Sequence, residues 1–109
     1  MTVTDLKEQL CLKSAYTNMN CNKLINGCYV GDYLSYVIKN SKPRNLWLTV
    51  VNNPNTVAVA MLKYLSSSIL CENVKPTDET IKLATERGIP ILLSTKTAYQ
   101  LAVEISKVI

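Results

Sequence analysis

The chain has 109 residues, 48% of them apolar and 18% charged, with a formal net charge of +4. That length and apolar content are enough for one domain with its own core, and they exclude a disordered chain or one that depends on disulfides to fold. No apolar run approaches the roughly 18 residues of a membrane span, and the opening MTVTDLKEQL is polar and acidic where a secretory signal is basic and then apolar, so a soluble cytoplasmic domain with no membrane partner is expected.

Taken in order, Thr4 is placed to cap a short helix through Leu10, with Asp5 well placed for the helix dipole and Leu6 and Leu10 on one face. Leu12 to Tyr16 reads as a strand, and Thr17 to Lys23 as a polar loop. Leu24 to Val30 is a second strand, in which Gly27 marks a bulge or a close backbone approach. Gly31 turns the chain, and Asp32 is placed to cap a helix running through Leu34, Val37 and Ile38 towards Asn40. Tyr33 and Tyr36 lie three apart on that helix and are expected to share the face of Val37, as core or as a dimer seam. Ser41 to Asn45 is a turn.

Leu46 to Val51 is a β-branched and aromatic run that stops at Asn52, Asn53, Pro54 and Asn55, residues that do not prolong a strand. Beyond the turn, Val57, Ala58, Met61, Leu62 and Leu65 recur at helical spacing, with Asn53 as the cap and Pro54 at the first helical position. A buried strand feeding a buried helix is half of a βαβ unit, and the rest of the chain is organised around it. Ser66 to Ser68 end the helix, and Ile69 to Cys71 form a short strand. Thr77 then caps a helix that opens with Asp78 and Glu79 and closes on Arg87 and Gly88. Ile89 to Leu93 is the next strand. Ser94 or Thr95 caps a last helix whose buried stripe is Ala98, Leu101, Ala102, Ile105, Val108 and Ile109. This alternation predicts a single α/β domain, residues 1–109, with a mainly parallel sheet flanked by helices and joined by right-handed crossovers.

Chemistry-bearing patterns are few. Cys11, Cys21, Cys28 and Cys71 are spaced by ten, seven and forty-three positions, and the chain has no histidine. Such spacing matches no common zinc knuckle or ribbon, so the thiols are read as reduced and mostly buried, with a metal or redox role as the other reading. The basic residues are scattered, with Lys39, Lys42 and Arg44 as the one local cluster, which points to a solvated surface and no nucleic-acid partner. No G-x-x-x-x-G-K-[ST] occurs, and no carboxylate pair or nucleophile beside a base emerges, so neither a cofactor nor catalysis is expected.

Several blocks occur together from Leu24 to Ile109, about four fifths of the chain: Gly27-Cys28-Tyr29-Val30-Gly31-Asp32 with Leu34-Ser35, Leu46-Trp47-Leu48-Thr49, and Asn55-Thr56-Val57-Ala58-Val59-Ala60. Lys75-Pro76 with Asp78-Glu79-Thr80, and Gly88-Ile89-Pro90-Ile91-Leu92, complete the set. In these blocks the sequence resembles the DRTGG domain family, and within it the stand-alone HPr-kinase-like members found beside iron-only hydrogenase genes. The resemblance implies an α/β fold and a regulatory or pairing module, since related domains serve that role inside larger enzymes and are not their catalytic part. It departs at the residues that name the family. The Asp-Arg after the central strand corresponds to Asn52-Asn53, and the Thr-Gly-Gly after the next strand to Cys71-Glu72-Asn73. Contacts made through that arginine, or through backbone exposed at those glycines, are therefore not implied for this chain.

Candidate ligand-binding residues follow from the strand ends. Asn52, Asn53, Asn55 and Thr56 sit at the carboxyl end of the central strand and the start of its helix, where free N–H groups and the helix dipole suit a phosphate or carboxylate; an ordinary helix cap uses the same residues. Glu72, Asn73 and Thr95 end the two following strands on the same sheet edge, as part of a shallow cleft or of ordinary loops. Gly31 and Asp32 hold a motif position, with Asp32 a ligand contact, a general base or a helix cap. The leading expectation is a non-enzymatic regulatory or assembly module, a homodimer acting through protein partners. The alternative is a sensor for a nucleotide or other small anionic ligand, bound around Asn52 to Thr56.

Overall fold

The computed structural model describes residues 1–109. Its elements are α1 (Val3–Gln9), β1 (Lys13–Ser14), β2 (Gly27–Val30), α2 (Leu34–Asn40), β3 (Asn45–Thr49), α3 (Asn55–Leu62), β4 (Ser67–Leu70), α4 (Asp78–Arg87), β5 (Ile91–Leu93) and α5 (Ala98–Ser106). The five strands form one sheet in the order β1-β5-β4-β3-β2, with β2 to β5 parallel and β1 antiparallel to β5. The α/β class and the mainly parallel sheet agree with the sequence reading.

Central strand β3 explains the layers. All five of its residues are buried, and successive side chains of a strand face opposite ways. Leu46 and Leu48 join Ile69, Cys71 and Leu92 beneath Val3 and Leu6 of α1 and Leu101 and Ile105 of α5. Trp47 joins Leu70 and Ile91 against Val37 of α2, Val57 and Ala60 of α3, and Ala84 of α4. A right-handed crossover from each strand to its parallel neighbour, always moving the same way along the sheet, puts α2, α3 and α4 on one face. The chain then returns over the other face as α5, which lies across β2 and β3. Fully burying Trp47, a side chain of about 200 Å², is worth roughly 5 kcal/mol. Its indole Nε1 donates to the Gly31 carbonyl at 2.8 Å, so the buried N–H is satisfied.

Several local expectations are corrected. Thr2, not Thr4, caps α1 through a capping box with Asp5. Of Leu12 to Tyr16 only Lys13 and Ser14 are strand, and of Leu24 to Val30 only Gly27 to Val30. Gly27 pairs in register with Asn45 and makes a close approach rather than a bulge: a Cβ there would meet the Asn45 amide nitrogen at 3.0 Å. Ser66 to Ser68 do not end the central helix. α3 stops at Leu62, where Leu65 N–H bonds back to the Ala60 carbonyl around a left-handed Tyr64, and the buried Ser67 and Ser68 begin β4. Thr97, not Ser94 or Thr95, caps α5 by a capping box with Gln100. The α4 cap at Thr77 and its left-handed Gly88 stop stand as expected.

Backbone strain gathers at the end of β4. Glu72 and Asn73 are consecutive residues at φ +58° and +60°, in the left-handed region that glycine occupies without cost. Replacing Glu72 by glycine removes that cost and adds back unfolded-chain entropy, for a net gain of roughly 0.5–1 kcal/mol. Thermal unfolding is therefore expected to show E72G melting a few degrees above the parent and E72V, β-branched, below it. A lowered melting temperature for E72G would contradict the strain assigned to this position.

Candidate functional site

At the carboxyl edge of the sheet, hydrogen bonds sort the expected site residues into two groups. In the first, Asn53 Oδ1 accepts the Asn55 N–H at 2.9 Å, and the Asn53 and Pro54 carbonyls accept the N–H groups of Thr56 and Val57. The buried Thr56 hydroxyl donates to the Val51 carbonyl. Asn52 Nδ2 donates to the Lys75 carbonyl at 3.0 Å, and the Asn52 carbonyl accepts from Thr77 N–H and the Thr80 hydroxyl. The turn at Asn52 to Thr56 is thus a self-satisfied helix start tied to the head of α4. The free first-turn amides expected there for an anion are already taken.

In the second group, Glu72 N–H donates to the Lys96 carbonyl at 2.8 Å and Asn73 N–H to the Ser94 carbonyl at 2.9 Å. The left-handed turn at Glu72 and Asn73 aims two successive amides across at the loop after β5, and so straps together the exits of β4 and β5. Beside this strap lies a cavity of about 240 Å³. Asn73 and Thr95 line it, together with Lys13, Lys75, Lys96 and Ser94, whereas Glu72 and the residues of the Asn52 turn do not. The lysines escaped notice in the sequence because they are far apart along it. Only the antiparallel register of β1, with Lys13 opposite Leu93, brings the first to the other two. The one readable signal was the Thr97-Gln100 pair, which sets the start of α5 and leaves Ser94 to Lys96 as loop.

Gly31 and Asp32 lie elsewhere, at the end of β2. Asp32 does not cap α2, which begins after Tyr33 without a side-chain cap. Its Oδ1 instead accepts from the Thr49 hydroxyl at 2.7 Å and from Val50 N–H at 2.9 Å, pinning the end of β3. Tyr33 and Tyr36 do not share the buried face of Val37. They are 70% and 61% exposed and meet edge-to-face at 5.3 Å.

The thiols differ by position. Cys11 is exposed, and Cys21 is half-buried with its thiol pushed up by desolvation. Burial, with Cys71 nearby, raises the Cys28 thiol to about 12; burial raises Cys71 to about 11, with Glu72 and Asp32 adding to it. No three His, Cys, Asp or Glu side chains lie together in a metal-binding group. No helix is long and apolar enough to cross a membrane. No family model matches the chain, and no curated protein matches it.

Thiols whose native pKa exceeds the unfolded value of about 8.5 stabilise the fold fully below that value, and the contribution fades as pH rises towards the native values. The melting temperature is therefore expected to fall progressively above about pH 9, because the unfolded chain ionises first. Alkylation near pH 8 followed by mass mapping should modify the exposed Cys11 rapidly and the buried Cys71 only in denaturant. Rapid native labelling of Cys71 would contradict the burial described.

Proposed function

We propose that this chain is a non-enzymatic assembly module that pairs with a second copy of itself along the outer edge of β2 and acts through protein partners in that state. The contrast between the two edges of the sheet carries the reading. On one side the edge strand β1 is two residues long, antiparallel, and carries exposed Lys13, features that discourage further pairing. On the other, β2 is GCYV, uncharged and four residues long. Outside its ladder with β3, no backbone hydrogen bond involves Gly27 to Val30.

Apolar side chains concentrate around that edge. Val30 is 47% exposed and Leu24 53%, and Ile109 adds a further exposed side chain beside Gly27 and Cys28. Tyr33 and Tyr36 extend the surface onto α2, which packs against α3 alone in its helix layer and so ends that layer on the β2 side. Tyrosines at a partly wet apolar patch are typical of interfaces.

A second copy is the occupant that fits. Antiparallel pairing about a twofold axis matches the edge to itself and continues the sheet. It is also complementary in charge: Asp32 follows the carboxyl end of β2, with only Oδ1 engaged, while Lys23, Lys42 and Arg44 surround the amino end. Antiparallel strands bring those opposite ends together. The non-enzymatic part of the reading is supported by the buried Cys71 thiol, which burial keeps protonated and so weakly nucleophilic.

Kinship with the DRTGG domains is supported by the sequence blocks and by one backbone feature. Where the family has consecutive glycines this chain has Glu72 and Asn73, and both adopt glycine-like positive φ.

Sedimentation equilibrium over the micromolar range is expected to give twice the mass of one chain. V30K, which sets a charge at the seam without touching the core, should sediment as a monomer with unchanged far-UV circular dichroism. A parent protein that stays monomeric throughout, or a V30K variant that stays dimeric, would contradict the β2 edge as the interface.

A further inference from the structure

The cavity between the β4 and β5 exits has a topological setting distinct from the β2 edge. After β4 the chain turns to α4 on the Trp47 face, and after β5 it turns to α5 on the opposite face. Adjacent parallel strands whose connections leave to opposite sides open a crevice at their carboxyl ends, the usual location of ligands in α/β sheets. This is the one such point in the fold, because β2, β3 and β4 are all followed by helices on the same face.

Charge in the crevice is unbalanced. Lys96 is paired with Glu104 at 2.6 Å, the single ion pair of the structure, which leaves Lys13 and Lys75 without a carboxylate partner. The Lys75 and Thr95 N–H groups donate to no protein acceptor, and Thr95 adds a hydroxyl. Ser94 Oγ accepts the Lys96 N–H at 3.1 Å, which leaves its own proton free to donate. Beneath these donors, Leu10, Leu12 and Leu93 supply an apolar floor.

We propose that this crevice binds a small phosphate ester, with the phosphate dianion between Lys13 and Lys75 and its short carbon body on the leucine floor. Two uncompensated cations match two negative charges. Ammonium groups with backbone and hydroxyl donors suit the several acceptor oxygens of a phosphate. A volume of about 240 Å³ lies below the roughly 300–1,000 Å³ of sites for drug-sized ligands, which limits the body to a few carbons. The site differs from the Asn52 to Thr56 turn, whose amides are taken, and uses only Asn73 and Thr95 of the residues expected from sequence. It is independent of the pairing proposed for β2, since none of its residues lies on that edge.

The test is calorimetric titration of the full chain at low salt with glycerol 3-phosphate, inorganic phosphate and succinate, for the parent and for K13Q and K75Q. Both lysines are exposed, so their replacement leaves the fold intact. Glycerol 3-phosphate is expected to bind more tightly than inorganic phosphate, with each lysine variant weakening it about tenfold and added sodium chloride weakening it further. No heat from any of the anions would overturn the site, as would binding that both variants leave unchanged. Succinate binding alone would overturn the phosphate assignment. Equal affinity for inorganic phosphate and the ester would overturn the role given to the leucine floor.

Discussion

Two-sided burial of β3 is the constraint on which the rest of the molecule depends. With Leu46 and Leu48 packed one way and Trp47 the other, both faces of the sheet must carry helices. Once the faces are covered, only the edges of the sheet and the ends of its strands remain open to anything else. One edge is closed by short antiparallel β1, and the other, β2, keeps an uncharged and unpaired backbone. The assembly reading grows from that asymmetry, and the ligand crevice from the point where the helices change face.

The carboxyl edge shows how a polar loop cluster can be both rigid and selective about what it offers. Asn52 commits its side-chain amide to the Lys75 carbonyl and its own carbonyl to the head of α4, and Glu72 and Asn73 commit their N–H groups to the loop after β5. What remains unspent is confined to one place, the lysines and the two free amides beside the strap. The left-handed backbone at Glu72 and Asn73 is the cost of aiming both amides the same way, and it persists because two cross-loop hydrogen bonds hold it.

Much of this fold was legible in the residues. The β-branched run from Leu46, the Thr77 cap and Gly88 stop, and the alternation that follows specify the parallel sheet directly. What was misread shares a physical cause. Ser67 and Ser68 look like a helix end because serine is polar and short, yet Ser67 is buried with its hydroxyl bonded to the Pro90 carbonyl within the sheet region. Asp32 looks like a helix cap because it precedes one, yet its carboxylate serves a neighbouring strand seventeen positions away. The crevice lysines carry no local pattern at all. Their meeting depends on the antiparallel return of β1, a two-residue strand too short for periodicity to reveal. Local signals decided the elements, while the candidate site was decided by long-range pairing.

The central claim is that β2 is an interface, and peptide-resolved hydrogen exchange as a function of protein concentration tests it most directly. Outward amides of an unpaired edge exchange freely in a monomer and are protected when a second strand bonds to them. The account predicts that slowing on raising the concentration is confined to the segment from Asn26 to Asp32 and its flanks on α2, with the β1 edge unaffected. Exchange of that segment that stays fast and independent of concentration, or protection that appears at β1 instead, would contradict it.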